Sequence, residues 1–141
     1  METKAEFALE LGRVSRRWRA RLDERLKHTG LTQARWIALL HLSRSGPLAQ
    51  CELAERIGIE GPTLVRVLDN LEEQGLIKRR ASADDRRVKQ LCLTDAAKPI
   101  LTEITRISDD LRHELLADLS AKDIAVARKV MRAIADRLEA C

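Results

Sequence analysis

The chain has 141 residues, 45% hydrophobic and 34% charged, with six Gly, three Pro and a formal charge of +4. That length suits a single domain with its own core, and the balance favours a helix-rich soluble fold over disorder or a β-sandwich. No run of about 18 apolar residues is present to span a membrane, and the start, METKAEFALELGRVSRRWRARL, is amphipathic and charged where a signal peptide is apolar, so a cytoplasmic protein is expected.

Phe7, Leu11, Val14, Trp18, Leu22 and Leu26 recur at steps of three and four, which predicts a long first helix ended by Gly30. Thr32 is placed to cap a second helix through QARWIALLHLSRS, with Trp36, Leu39 and Leu40 inward and Gly46-Pro47 closing it. Residues 48 to 77 then hold two short helical patterns around the break GIEGP. Leu53, Ala54 and Ile57 face inward on the first, Gly58 supplies its left-handed end, and Pro62 opens the second at its first position. This is a helix-turn-helix pattern. Leu64, Val67, Leu68 and Leu71 form the buried stripe of its second helix, so Thr63, Arg66 and Asn70 point outward, and Gly75 stops it.

LIKRRA and VKQLCLT follow as two strands joined by a short polar loop, a hairpin. Thr94 is the expected cap of a further helix marked by Ile100, Ile104, Ile107, Leu111 and Leu115, with Asp95 in its first turn and Pro99 early. SAKD, at 120 to 123, resembles a capping box leading to Ile124, Val130 or Met131, Ile134 and Leu138 in the last helix. Helices, hairpin and two closing helices make a mainly α (α+β) fold: a winged helix-turn-helix over 32–94, flanked by long terminal helices at 1–31 and 95–141 within one domain. The terminal helices carry apolar stripes with no obvious place to bury them, and a second subunit would supply one.

The chemistry points to nucleic acid. Arg66, beside Thr63 and Asn70, offers a bidentate donor where base edges lie in the major groove. Arg86 and Arg87 project from the hairpin loop, where a wing meets the minor groove or phosphates. Asp84 and Asp85 would repel DNA, so their expected work is internal: accepting from loop amides or an arginine to fix its direction. Lys78, Arg79, Arg80 and Lys89 lie on the strands, where alternate residues can meet phosphates or protect a sheet edge. His28, His41 and His113 fall on separate segments without triad or metal-binding partners, and no Gly-rich phosphate loop occurs, so an enzyme is not expected and no cofactor or metal is implied. Cys51, Cys92 and Cys141 lack metal-ligand spacing and are expected to be reduced, although Cys51, in a helix's first turn, is where a thiol becomes reactive. Trp18 and Trp36 read first as core anchors, with an aromatic-ligand pocket as the second reading.

LAERIGIEGPTLVRVLDNLEEQGLIKRRASADDRRVKQLCLTDAAKPIL resembles the MarR family of bacterial transcription regulators, its SlyA branch most of all; GPTLVRVLDNLEEQGLI, DRRVKQLCLT and TQARWIALLHL carry the match. The resemblance implies a homodimer on a pseudo-palindromic double-stranded DNA operator. In it Thr63 and Arg66 would meet the major groove, Arg86 and Arg87 the minor groove, and Asp85 would orient the wing. It also implies release by a small phenolic or aromatic anion, with Arg16, Arg19, Trp36 and Arg66 at the matching ligand positions. Leu40 stands where SlyA-like relatives carry His, and the Cys near the end of the first helix used by the redox-sensing branch is absent. The leading expectation is a repressor; the alternatives are a SlyA-like activator that counteracts nucleoid silencing and a helical protein-interaction module without base reading.

Overall fold

A computed structural model of the chain describes residues 2–139. Helix α1 spans Thr3–Arg25, and a 3-10 turn at Lys27–Thr29 ends on Gly30 at φ 74°, a left-handed conformation that glycine adopts without strain. Next come α2 (Gln33–Ser45), β1 (Leu48–Ala49), α3 (Gln50–Ile57) and α4 (Gly61–Glu73). The hairpin strands β2 (Ile77–Ala81) and β3 (Lys89–Leu93) lead through a second 3-10 turn to α5 (Lys98–Leu116) and α6 (Ala121–Leu138). The helix-turn-helix break forms as its residues dictate. Gly58 closes α3 at φ 68° with its amide bonded to the Ala54 carbonyl, and Pro62 sits at the second position of α4, one place later than expected.

The three strands are antiparallel in the order β1-β3-β2, with Leu48 opposite Leu91 and Ile77 opposite Leu93. β1 has two residues, too few for any alternation to be visible in the sequence, and it forms because β3 offers it an edge. Leu26, Trp36, Leu39, Leu53, Ile57, Leu64, Leu68, Leu71, Leu91 and Ile104 meet in one core around α2, so α4 and the hairpin are seated on the same apolar mass. Val67, expected inside, packs only partly buried at its margin.

Thr94 is a correction. It stands at the start of the 3-10 turn Asp95–Ala97 and makes no side-chain cap there; α5 proper begins at Lys98, with Pro99 in its first turn. Its hydroxyl donates to the Gly75 carbonyl at 2.5 Å, because the end of β3 lies against the exit of α4, and its amide bonds to the Leu76 carbonyl. The Ser120 cap does form: its hydroxyl accepts from the Asp123 amide at 3.1 Å.

α6 has no buried residue among those described, and Val126, Val130, Met131 and Leu138 stand open on it. Phe7, Leu9 and Val14 on α1 and Leu115 on α5 are exposed as well. The Arg25 guanidinium grips the Glu114 carboxylate in a two-point contact at 2.7 and 3.1 Å, tying the end of α1 to α5. That contact holds the Glu114 carboxyl below the usual carboxylate range. Cys92 is buried and free, whereas Cys51 is disulfide-bonded, which departs from the reduced state expected for it. Cys141 lies outside the described residues.

Candidate nucleic-acid interface

The outward face of α4 is set by what the inward face buries. Leu64, Leu68 and Leu71 are fully buried, so the helical period leaves Thr63 and Arg66 exposed and Asn70 half-buried at the edge of the same face. Arg66 makes no ion pair among the described residues, so its five donors are available.

The hairpin loop answers the question of its acids. The Asp85 Oδ1 accepts from the Arg87 amide at 2.9 Å and from the Arg87 Nε at 3.2 Å, while its Oδ2 accepts from the Arg87 terminal nitrogen at 3.2 Å. The Val88 amide closes a turn on the Asp85 carbonyl, and the Ser82 amide bonds to the Val88 carbonyl at 2.8 Å. One carboxylate therefore shapes the loop backbone and aims a guanidinium whose side chain remains 91% exposed. The Arg87 bonds, side chain first, hold the Asp85 carboxyl below its ordinary value. Asp84 works differently: its amide donates to the Ser82 hydroxyl at 3.3 Å. Arg86 is exposed beside them and has no carboxylate partner among the described residues.

On the strands, Lys78 and Arg80 lie two apart on β2 and Lys89 opens β3 opposite Ala81; all three are exposed. Arg79 is not part of that set. Its guanidinium reaches back to α4, donating to the Glu72 carboxylate at 2.7 Å and the Asp69 carboxylate at 3.0 Å, and its side chain is only 24% exposed. It clamps β2 to α4 and has its charge paired within the chain. The sequence signal was present but ambiguous: two acids three apart on α4 and an arginine at the odd register of β2.

The four ligand positions implied by the resemblance are dispersed. Trp36 is 1% exposed in the core, and its indole N–H donates to the Asp23 carboxylate at 3.2 Å. Arg16 and Arg19 are exposed on α1, and Arg66 is on the outer face of α4. A cavity of about 310 Å³ does open between α1 and α5, lined by Arg13, Val14, Arg17, Trp18 and Arg21 with Glu10 and Leu115. The three arginines fall at four-residue steps on one stripe. Reading the basic run as a helix would have found them; the resemblance points to Arg16 and Arg19, one and two positions from Arg17 and off that stripe.

No group of three metal-binding side chains occurs among the described residues. His41 is half-buried and held below its ordinary pKa, by burial first and then by Arg56, Arg19 and Arg44.

Residues 29–88, the span from the end of the first 3-10 turn through the hairpin loop, match the model of the MarR family. The chain is also 44% identical to the transcriptional regulator PA3341, over 94% of this chain and 97% of that one, with a TM-score of 0.86. It belongs to the MarR family. Members of this family are transcriptional regulators and not enzymes. Among solved structures, NadR in complex with 4-hydroxyphenylacetate is 21% identical, with 96% of each chain covered and a TM-score of 0.86. The transcriptional regulator SlyA is 23% identical, with 94% and 93% covered and a TM-score of 0.78. Identities of that size speak for the shared MarR fold, and SlyA stands out from the others no further than that.

Proposed function

We propose that this MarR-family chain is a homodimeric, sequence-specific DNA-binding repressor that a small aromatic anion releases from its operator. The observation that carries the reading is the Asp85–Arg87 pair: a carboxylate at the tip of a wing, otherwise repellent to DNA, spends its hydrogen bonds on aiming an exposed guanidinium. Thr63 and Arg66 on α4 enter the major groove and read base edges, with Asn70 at their margin. Arg87 enters the minor groove beside it, and Arg86 touches phosphate. Lys78, Arg80 and Lys89 add phosphate contacts that fix register without reading sequence.

Dimerisation is supported by α6, which has no fully buried residue, and by the exposed apolar residues on α1 and α5. Two copies joined there carry two winged helices and match half-sites about one helical turn apart. For the effector, the cavity faced by Arg13, Arg17, Arg21 and Trp18 supplies cations and an aromatic wall, the chemistry a phenolic carboxylate needs. NadR, which shares the fold, holds 4-hydroxyphenylacetate. Release follows if the anion favours a spacing of the two winged helices that the operator does not fit.

Selection of bound duplexes from a random pool tests the reading. Recovered sequences should converge on two inverted half-sites centred about 10 base pairs apart. Equal retention of all sequences would reduce the protein to a non-specific binder.

A further inference from the structure

Arg79 stands where the hairpin leaves the core. Its neighbours two positions away on β2 are the buried Ile77 and the exposed Ala81, and across the ladder it pairs with the buried Leu91. Strand alternation turns Ile77, Arg79 and Ala81 to one side of the sheet, so Arg79 is the last inward side chain before the wing. A guanidinium cannot enter an apolar core unpaired. Its two terminal nitrogens donate instead to separate carboxylates of α4, Nη1 to Glu72 at 2.7 Å and Nη2 to Asp69 at 3.0 Å. The bonds that shape the wing tip, among Ser82, Asp84, Asp85, Arg87 and Val88, are internal to it. Among the described residues, no hydrogen bond or ion pair runs from residues 80–89 to α4. We propose that Arg79 is a positioning residue for DNA reading, whose bridge to Asp69 and Glu72 holds the wing and α4 at the angle that lets Arg87 and Arg66 reach neighbouring grooves of one half-site.

The lever explains why such a bridge matters. Ile77 and Leu91 seat only the root of the hairpin. From Arg79 to Asp85 is at most about 20 Å of chain, so a swing of about 10° at the root moves the tip by about 3 Å, as far as a hydrogen bond is long. A planar, rigid guanidinium spanning two carboxylates resists that swing, which the single flexible ammonium of a lysine does not. Holding both contacts in their bound arrangement before DNA arrives removes part of the ordering cost of binding.

Charge alone argues the other way, and that gives the test its sign. Asp69 lies one turn past Arg66 and about 60° around the helix, so it and Glu72 bring negative charge to the element that meets a polyanion. Removing both acids and freeing Arg79 should by charge alone tighten binding to every duplex. Positioning predicts weaker binding to the operator.

The proposal rests on the DNA-binding reading, and the experiment separates the two. Full-length wild type, the double variant Asp69→Ala with Glu72→Ala, and Arg79→Lys are compared on a selected operator duplex and on a scrambled one. The double variant should bind the operator at least threefold more weakly than wild type, with scrambled-duplex affinity equal to or above wild type. Arg79→Lys, which keeps the charge and loses the fork, should bind the operator at least twofold more weakly. Amide residual dipolar couplings of the DNA-free proteins should fit one alignment for α4 and the wing in wild type, and two in the double variant. Exposed ion pairs contribute little to stability, so circular dichroism should be unchanged throughout. Operator affinity of the double variant equal to or above wild type, wild-type affinity in Arg79→Lys, or one shared alignment after the bridge is gone would overturn the proposal. Wild type that binds no selected duplex would instead defeat the DNA-binding reading, and the dipolar couplings would still decide whether the bridge fixes the wing.

Discussion

Trp36 decides between two readings of the same residue, and its replacement by Phe is calculable. The side chain is 1% exposed and its N–H bonds to Asp23 at 3.2 Å. Phe cannot make that bond; hydrogen bonds to a charged acceptor contribute about 1.5–3 kcal/mol, and the lower half applies because the pair is only part-buried. Deleting part of a packed indole adds about 1–2 kcal/mol of lost transfer and cavity. The sum is about 3 kcal/mol. With a urea m-value of about 2 kcal/mol/M, the unfolding midpoint should fall by about 1.5 M with the slope unchanged, measured at one protein concentration because dimerisation contributes to stability. Asp23→Ala should lose only the hydrogen-bond share, about 1–2 kcal/mol. A loss below about 1 kcal/mol for Trp36→Phe would refute the core assignment and return Trp36 to the pliable wall of a ligand pocket.

The remaining expectations concern the wing, the dimer and the effector. Asp85 has a folded-state pKa below its unfolded value, so the stability it contributes is present above the ordinary carboxylate range and is lost as pH falls through the depressed value. A carbon-detected NMR titration should find the Asp85 carboxyl below a peptide reference and moved back toward it in Arg87→Ala; an unmoved value would show that Arg87 is not the cause. Val130→Glu with Met131→Glu places two charges on the bare face of α6, and sedimentation should show a monomer at a concentration where the wild type is a dimer; an unchanged mass would place the interface elsewhere. A salicylate-like anion should quench tryptophan fluorescence and weaken DNA binding, with the quench lost in Trp18→Phe and kept in Trp36→Phe; the reverse pattern would refute the α1–α5 cavity as the effector site.

What was legible in the chain was whatever local chemistry decides. Gly30, Gly58 and Gly75 marked helix ends because φ of 68° to 75° suits glycine, and the stripe Leu64, Leu68, Leu71 fixed which way Arg66 faces. Features set by distant partners were harder to read. β1 exists only against β3, and Thr94 gives its hydroxyl to a carbonyl 19 positions away instead of capping α5. Arg79 looked like its basic neighbours until α4 supplied two carboxylates. The Asp85–Arg87 pair was readable as a type of contact, an acid orienting a base, but which arginine it held needed the loop geometry. The arginines that line the α1–α5 cavity are a different set from those the resemblance singled out, because a shift of one residue turns a helical side chain about 100° around the axis.

The measurement closest to the central claim compares wild type and Arg66→Ala on the selected operator and on a scrambled duplex across a salt series. Direct reading by α4 predicts that Arg66→Ala weakens operator binding by about 1–3 kcal/mol, relaxes preference at one position of each half-site, and leaves scrambled-duplex affinity nearly unchanged. Equal weakening on both duplexes, or no change on either, would contradict it.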